Sequence, residues 1–123
     1  MTQIQDVEYL YRKFKFPIPK EPKMLEITEM EQRLAFLMEE LTETSEAVYN
    51  NDIEETIDGL IDLAYVCFGT LVLMGVNTAA HWNEVQRANL EKERIVNGGK
   101  RSMRYDLTKP KGWRPPNHKE ILE

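Results

Sequence analysis

Glu40 and Glu43 stand three apart, and Asp58 and Asp62 four apart, in two segments of this 123-residue chain. At those intervals each pair projects from one face of a helix. Both pairs are embedded in apolar sequence, where unpaired negative charge is expensive. A strong compensator is expected, and a divalent cation is the usual one for clustered carboxylates without cysteine or histidine companions. Two helices that each give two carboxylates bring four ligating side chains to one point, the general way in which helical bundles build metal sites. A di-iron carboxylate centre would need Glu-x-x-His on two helices, and neither His81 nor His118 has a glutamate three residues before it. All-oxygen ligation therefore predicts Mg²⁺ or Mn²⁺. Solvated helix surface is the plain alternative for Glu39, Glu46, Glu54 and Glu55, and Glu55 is explained by capping alone.

Metal-bound carboxylates suit phosphoryl chemistry, because metals clamp phosphate oxygens and lower the pKa of a bound water. Lys92, Arg94, Lys100, Arg101, Lys109 and Lys111 are the cations available to neutralise phosphate charge. The sequence contains neither a Walker A loop nor a nucleophilic Ser/Cys–His arrangement, so direct attack by water is the simpler expectation. Charge is distributed accordingly. Glu29 to Asp62 holds eleven acidic residues and one basic residue, Arg33, while Arg87 to Lys119 holds ten basic and three acidic. That asymmetry fits an acidic metal site and a basic anion site, or two solvated surfaces that attract one another. The overall charge of −5 argues against general nucleic-acid binding.

The elements that must position these residues read as helices, with little strand signal. Ile4, Val7, Leu10 or Tyr11, and Phe14 recur at helical spacing over about Gln3 to Phe16. Pro17, Pro19 and Pro22 then enforce an extended connector. A second helix is expected from Thr28, with Glu31 completing a capping box, to about Asn50. Its main apolar stripe is Met30, Leu34, Leu37, Leu41 and Val48; a second stripe holds Phe36, Glu40, Glu43 and Ala47. A third helix starts near Asp52, with Glu55 at the capping-box position. After Asp62 it is apolar on every side, as a helix buried all round would be, and a chain this small needs a partner subunit to bury it. Gly69 fits close helix approach and Gly75 a C-terminal stop. A fourth helix runs from Asn77 or Thr78 to about Arg94, with Trp82, Val85, Asn89 and Lys92 on one face. From Asn97-Gly98-Gly99 the chain reads as loop, and the basic residues flanking Trp113 predict an ordered, ligand-facing tail.

One domain over residues 1–123 is expected. The N-terminus lacks a basic flank followed by an apolar core, so no signal peptide is expected. The apolar run from Leu63 to Val76 is short for a membrane span, and no membrane association is expected. Cys67 stands alone, which favours a reducing cytoplasm, and reads as a small buried hydrophobe.

Glu39-Glu40-Leu41-Thr42-Glu43, Asp62-Leu63-Ala64-Tyr65-Val66 and the following Gly69 and Gly75-Val76-Asn77 resemble the all-α nucleoside triphosphate pyrophosphohydrolases. This MazG-like superfamily includes dimeric dUTPases and phosphoribosyl-ATP pyrophosphohydrolase. Trp82 to Lys92 and the tail Asp106 to Trp113 resemble its bacterial and phage members. The resemblance implies a four-to-five-helix bundle, oligomeric as a homodimer or homotetramer, in a bacterial or phage-infected cytoplasm. It implies cleavage of a (deoxy)nucleoside triphosphate between the α and β phosphates, with two or three Mg²⁺ or Mn²⁺ ions per site. Carried onto this chain, Glu40, Glu43, Asp58 and Asp62 are the expected metal ligands, with Glu39 and Glu40 catalytic. Asn89, Lys92, Arg101 and Lys109 are expected at phosphate, and Tyr11 and Trp82 at the base, with dUTP or (d)GTP the leading substrates. The family's Glu-x-x-Asp, aligned on Asp62, places its glutamate at Gly59, and Asp58 is the expected substitute. The alternatives are phosphoribosyl-ATP as substrate, or a non-catalytic, metal-dependent nucleotide-binding bundle.

Overall fold

The computed structural model of the chain describes residues 1–95, 101 and 103–123. Asn97, Gly98 and Gly99, expected as loop, and Lys100 lie outside the described residues. The architecture is all-α, with five helices and one two-stranded ladder among the described residues: α1 (Gln3–Lys13), α2 (Ile27–Tyr49), α3 (Ile53–Leu73), α4 (Thr78–Leu90), β1 (Glu93–Arg94), β2 (Leu107–Thr108) and α5 (His118–Leu122). Two compact units divide the chain, Met1–Thr78 and Ala79–Glu123.

The first unit is built on α1, α2 and α3. Thr2 caps α1 through a full capping box with Gln5, and α1 stops at Lys13, a turn earlier than its apolar period suggests. The second helix starts at Ile27, and Glu26, its N-cap, makes no side-chain capping bond. The box expected at Thr28 is thus absent, since that residue already lies inside the first turn. Asp52 does cap α3, its side chain accepting from the Glu55 N–H. Gly75, at φ +69°, ends α3 in the left-handed conformation that favours glycine, and a Cβ there would also meet Pro19 at 2.7 Å. Lys23 of the proline connector donates its N–H to the Met74 carbonyl, pinning the connector to this helix end. The core of the unit is Val7, Tyr11, Leu25, Val72 and Leu73.

The face that α2 turns inward differs from the expected stripe. Thr44 and Ala47 are its buried residues, and Leu34, Leu41 and Val48 of the main apolar stripe are exposed. On α3, Ile53, Ile57, Leu60 and Ile61 are exposed as well. Cys67 is exposed rather than buried, because it lies on this open side of α3. By length and composition α3 meets the test for a membrane-crossing helix, contrary to expectation from its shorter uncharged run. Soluble core helices meet the same test, and Asp58 and Asp62 interrupt the apolar surface.

In the second unit α4 ends at Leu90, not Arg94, because Glu93 and Arg94 leave the helix to pair antiparallel with Thr108 and Leu107. The tail after β2 is ordered. Trp113 donates its indole N–H to the Ala88 carbonyl at 2.7 Å, and Ala88 is almost wholly buried. Arg87 donates to Glu84, Glu91 and the carbonyls of Arg114 and Pro115, so one guanidinium ties α4 to the proline segment. The Arg87 bonds and the Asn117 N–H hold the Glu84 carboxyl below the usual carboxylate range. Asn117 caps the short α5.

α5 also brings His118 to His81 of α4, with Nδ1 atoms 2.8 Å apart and rings stacked. A hydrogen bond at that distance needs one nitrogen to donate and the other to accept. Burial, and then the His118 charge, push His81 below the ordinary imidazole value. A histidine with a lowered folded pKa gives its full contribution above the unfolded value near 6.5, and loses it as pH falls through the lower folded one. We predict that the melting temperature falls with acidification below that value, and that His81→Gln removes this part of the slope. A thermal melt series between about pH 5 and 8 checks it; an identical slope in the variant would refute the assignment.

Candidate functional site

A steric contact between α2 and α3 brings the acidic residues together. Gly59 is buried, and a Cβ built on it would stand 2.1 Å from Thr44 Oγ1 and 3.1 Å from Thr44 Cβ. The Thr44 hydroxyl is itself fixed, donating to the Glu40 carbonyl at 2.7 Å. Eleven residues before Thr44, Arg33 donates from Nε to Thr70, which lies eleven residues after Gly59. The two contacts therefore share one antiparallel register, and that register puts Glu40 opposite the Asp62–Leu63 step. Absence of a side chain at Gly59 lets the backbones close at the level of the carboxylates.

The charges respond to that proximity. Burial, then the charges of Glu43, Asp62, Glu39 and Asp58 in that order, push the Glu40 carboxyl above the usual carboxylate range. All four expected metal-site acids thus act in one electrostatic cluster, together with Glu39. Glu55 is not among the charges that raise Glu40, and its backbone is engaged in the α3 cap. None of the five clustered carboxylates has an ion-pair partner among the described residues. Arg33, the one cation of the acidic stretch, turns instead to Thr70, to the Tyr11 hydroxyl at 2.7 Å and to the Val66 carbonyl.

The donor set is all oxygen, which suits a hard divalent ion. Among the described residues no three acids or histidines stand in a closed ligand cage.

Tyr11, expected at the base, lies in the core of the first unit. It is 6% exposed, packs edge-on against Phe16, and its hydroxyl accepts from Arg33. It also lies against Gly69, where a Cβ would meet the phenol oxygen at 1.9 Å, so Gly69 does serve close approach. Trp82 is exposed on α4. Asn89 and Lys92 close the end of the same helix, Lys92 donating its N–H to the Asn89 carbonyl. Arg101 pairs with Asp106, and the Lys109 ammonium lies over the Trp113 ring. These cations belong to the second unit and the carboxylates to the first.

The sequence model of phosphoribosyl-ATP pyrophosphohydrolase matches residues 7–89, a span that contains all the clustered carboxylates. The chain belongs to this family. Its place in the MazG-like nucleoside triphosphate pyrophosphohydrolase superfamily agrees with the Glu39–Glu43 and Asp62 motifs, and the activity class is that of a pyrophosphohydrolase. A search of curated proteins returns no match.

In this pyrophosphohydrolase the role of Gly59 was not legible from motif alignment, where it reads only as a missing glutamate. A glycine inside a helix costs about 1 kcal/mol relative to alanine, and that cost is the signal of a close contact. Gly59→Ala is expected to destabilise the first unit by about 1–3 kcal/mol through overpacking, and Thr44→Ala in the same chain to recover most of it. Chemical denaturation of the two single variants and the double variant checks the coupling; additive losses would contradict it.

Proposed function

We propose that this chain is a metal-dependent (deoxy)nucleoside triphosphate pyrophosphohydrolase, converting a triphosphate and water to the monophosphate and pyrophosphate. The observation that carries the reading is the set of carboxylates that raises Glu40, uncompensated by any cation among the described residues, inside a pyrophosphohydrolase sequence. Glu40, Glu43, Asp58 and Asp62 would hold Mg²⁺ or Mn²⁺, in two or three ions per site. Such an ion supplies charge neutralisation at phosphate oxygens and acidifies a bound water. Glu40 is also the proposed catalytic carboxylate that orients the water attacking the α-phosphorus. Glu39 is its adjacent catalytic partner in this reading. Asn89, Lys92, Arg101 and Lys109 are the proposed phosphate-binding groups and Trp82 the aromatic group for the base; dUTP and (d)GTP are the leading substrates.

The family name favours a second substrate, phosphoribosyl-ATP, whose cleavage involves the same α–β bond. A panel of the nucleoside triphosphates and phosphoribosyl-ATP, with products identified by phosphorus NMR, separates the two. Monophosphate and pyrophosphate from a common nucleotide support the first reading. Turnover of phosphoribosyl-ATP alone would establish the second, and release of orthophosphate would sink both.

Within this reading Asp58 replaces the glutamate that Gly59 cannot provide. Asp58→Ala is expected to cost at least about tenfold more activity than Glu55→Ala, equivalent to about 1.4 kcal/mol. Equal losses in steady-state kinetics would make Glu55 a ligand too.

A second copy of the chain is the proposed cover for the exposed apolar residues of α2 and α3. Leu34, Met38 and Leu41 recur at helical spacing on one helix, and Ile53, Ile57, Leu60 and Ile61 on the other. A homodimer or homotetramer buries such rows where one chain cannot.

A further inference from the structure

We propose that Trp113 is a positioning residue, whose indole holds Lys92 and Lys109 together as a two-cation seat for a polyphosphate anion. The backbone makes the pairing. Glu93 pairs with Thr108 and Arg94 with Leu107, so the next step of the same antiparallel register sets Lys92 opposite Lys109. Like charges directly opposite one another in a ladder are destabilising. This chain nevertheless sends both ammonium groups to one ring: Lys92 Nζ lies 5.4 Å and Lys109 Nζ 5.0 Å from the Trp113 centroid. Neither lysine has an ion-pair partner among the described residues, although Asp106 is near enough to Lys92 to feel its charge. Asp106 is itself committed to Arg101 and to the Leu107 N–H.

The ring is fixed at its edge. Its N–H donates to the Ala88 carbonyl in the last turn of α4, one turn before Lys92. Trp113 therefore performs two separable tasks, anchoring the tail through nitrogen and facing two cations with its π-surface. A π-face offsets part of the repulsion between two ammonium groups and leaves their N–H donors free for an anion. A multiply charged phosphate chain suits the pair, because each ammonium is a compact donor to phosphate oxygen. None of these three residues lies in the family-matched span, which ends at Asn89. The inference rests on the polyphosphate reading of the proposed function and adds to it a residue that sets phosphate affinity.

The test is calorimetric titration of the full, metal-free chain with inorganic tripolyphosphate, pyrophosphate and orthophosphate. Lys92→Gln and Lys109→Gln are each expected to weaken tripolyphosphate binding about tenfold, and Trp113→Leu by a similar factor. Trp113→Phe, which loses the Ala88 bond but keeps a π-face, is expected to stay within about threefold of the parent chain. Adding Trp113→Leu to the double lysine variant is expected to cost nothing further. Equal weakening by phenylalanine and leucine would reduce Trp113 to an anchor and overturn the proposal, as would unaltered binding in Trp113→Leu. Stronger binding of tripolyphosphate than pyrophosphate assigns the seat to the substrate's phosphate chain, and the opposite order assigns it to the product. Triphosphate hydrolysis is measured in parallel. Intact hydrolysis with tripolyphosphate binding indifferent to all these variants defeats this inference alone, whereas lysine-dependent binding in a chain that hydrolyses no triphosphate defeats only the proposed function.

Discussion

Glu43→Ala is expected to lower pyrophosphate release at least about a hundredfold, a loss of about 2.7 kcal/mol of transition-state stabilisation, while leaving the metal-free fold intact. Glu43 is exposed, and no hydrogen bond or ion pair holds it among the described residues. Its charge is the largest Coulombic contribution to the elevation of Glu40, after burial. Deleting it removes repulsion from the fold and a ligand from the proposed ion. The two effects have opposite signs in two measurements. In chelator the melting temperature should equal or exceed that of the parent chain. In Mg²⁺ the parent chain should gain stability by ligand linkage and the variant should gain little. A fall in the metal-free melting temperature alongside the lost activity would mark Glu43 as a structural residue.

Leu60→Glu is expected to convert the assembly to monomers at micromolar concentration. Leu60 is 56% exposed in the chain and neighbours Ile57 and Ile61, which are as open. Burying one such side chain contributes about 1.5–3 kcal/mol, and a charge buried without a partner costs several times more. In a symmetric dimer the substitution occurs twice, so the association constant should fall by more than about four orders of magnitude. Light scattering on the parent chain should give a dimer or a dimer of dimers. A monomeric parent chain would contradict the proposed cover, and an unaltered oligomer in Leu60→Glu would place the interface elsewhere.

Local chemistry made much of the helical order legible. Asp52 and Gly75 mark the two ends of α3 because a side-chain acceptor and a left-handed backbone each solve a problem at one helix end. The proline connector needed only the missing N–H and fixed φ. Non-local pairing defeated the same reasoning at α4. The helical spacing of Trp82, Val85, Asn89 and Lys92 reads on to about Arg94, but Glu93 and Arg94 find partners in Thr108 and Leu107, which no window on the sequence reveals. Leu34, Leu41 and Val48 read as core because an exposed apolar stripe has the same spacing as a buried one. The burial of Tyr11 was not legible because it depends on Arg33 and Gly69, far along the chain. The acidic residues were legible from spacing, while the contact that gathers them, Gly59 against Thr44, was visible only as an exception to a motif.

The central claim is that the carboxylates gathered by that contact hold a divalent ion required for pyrophosphate release. The most direct measurement is the initial rate of pyrophosphate formation from dUTP or dGTP, in excess chelator and then across a titration of Mg²⁺ or Mn²⁺. The account predicts no detectable release in chelator and a saturable return of activity with either ion. An undiminished rate in excess chelator would contradict it.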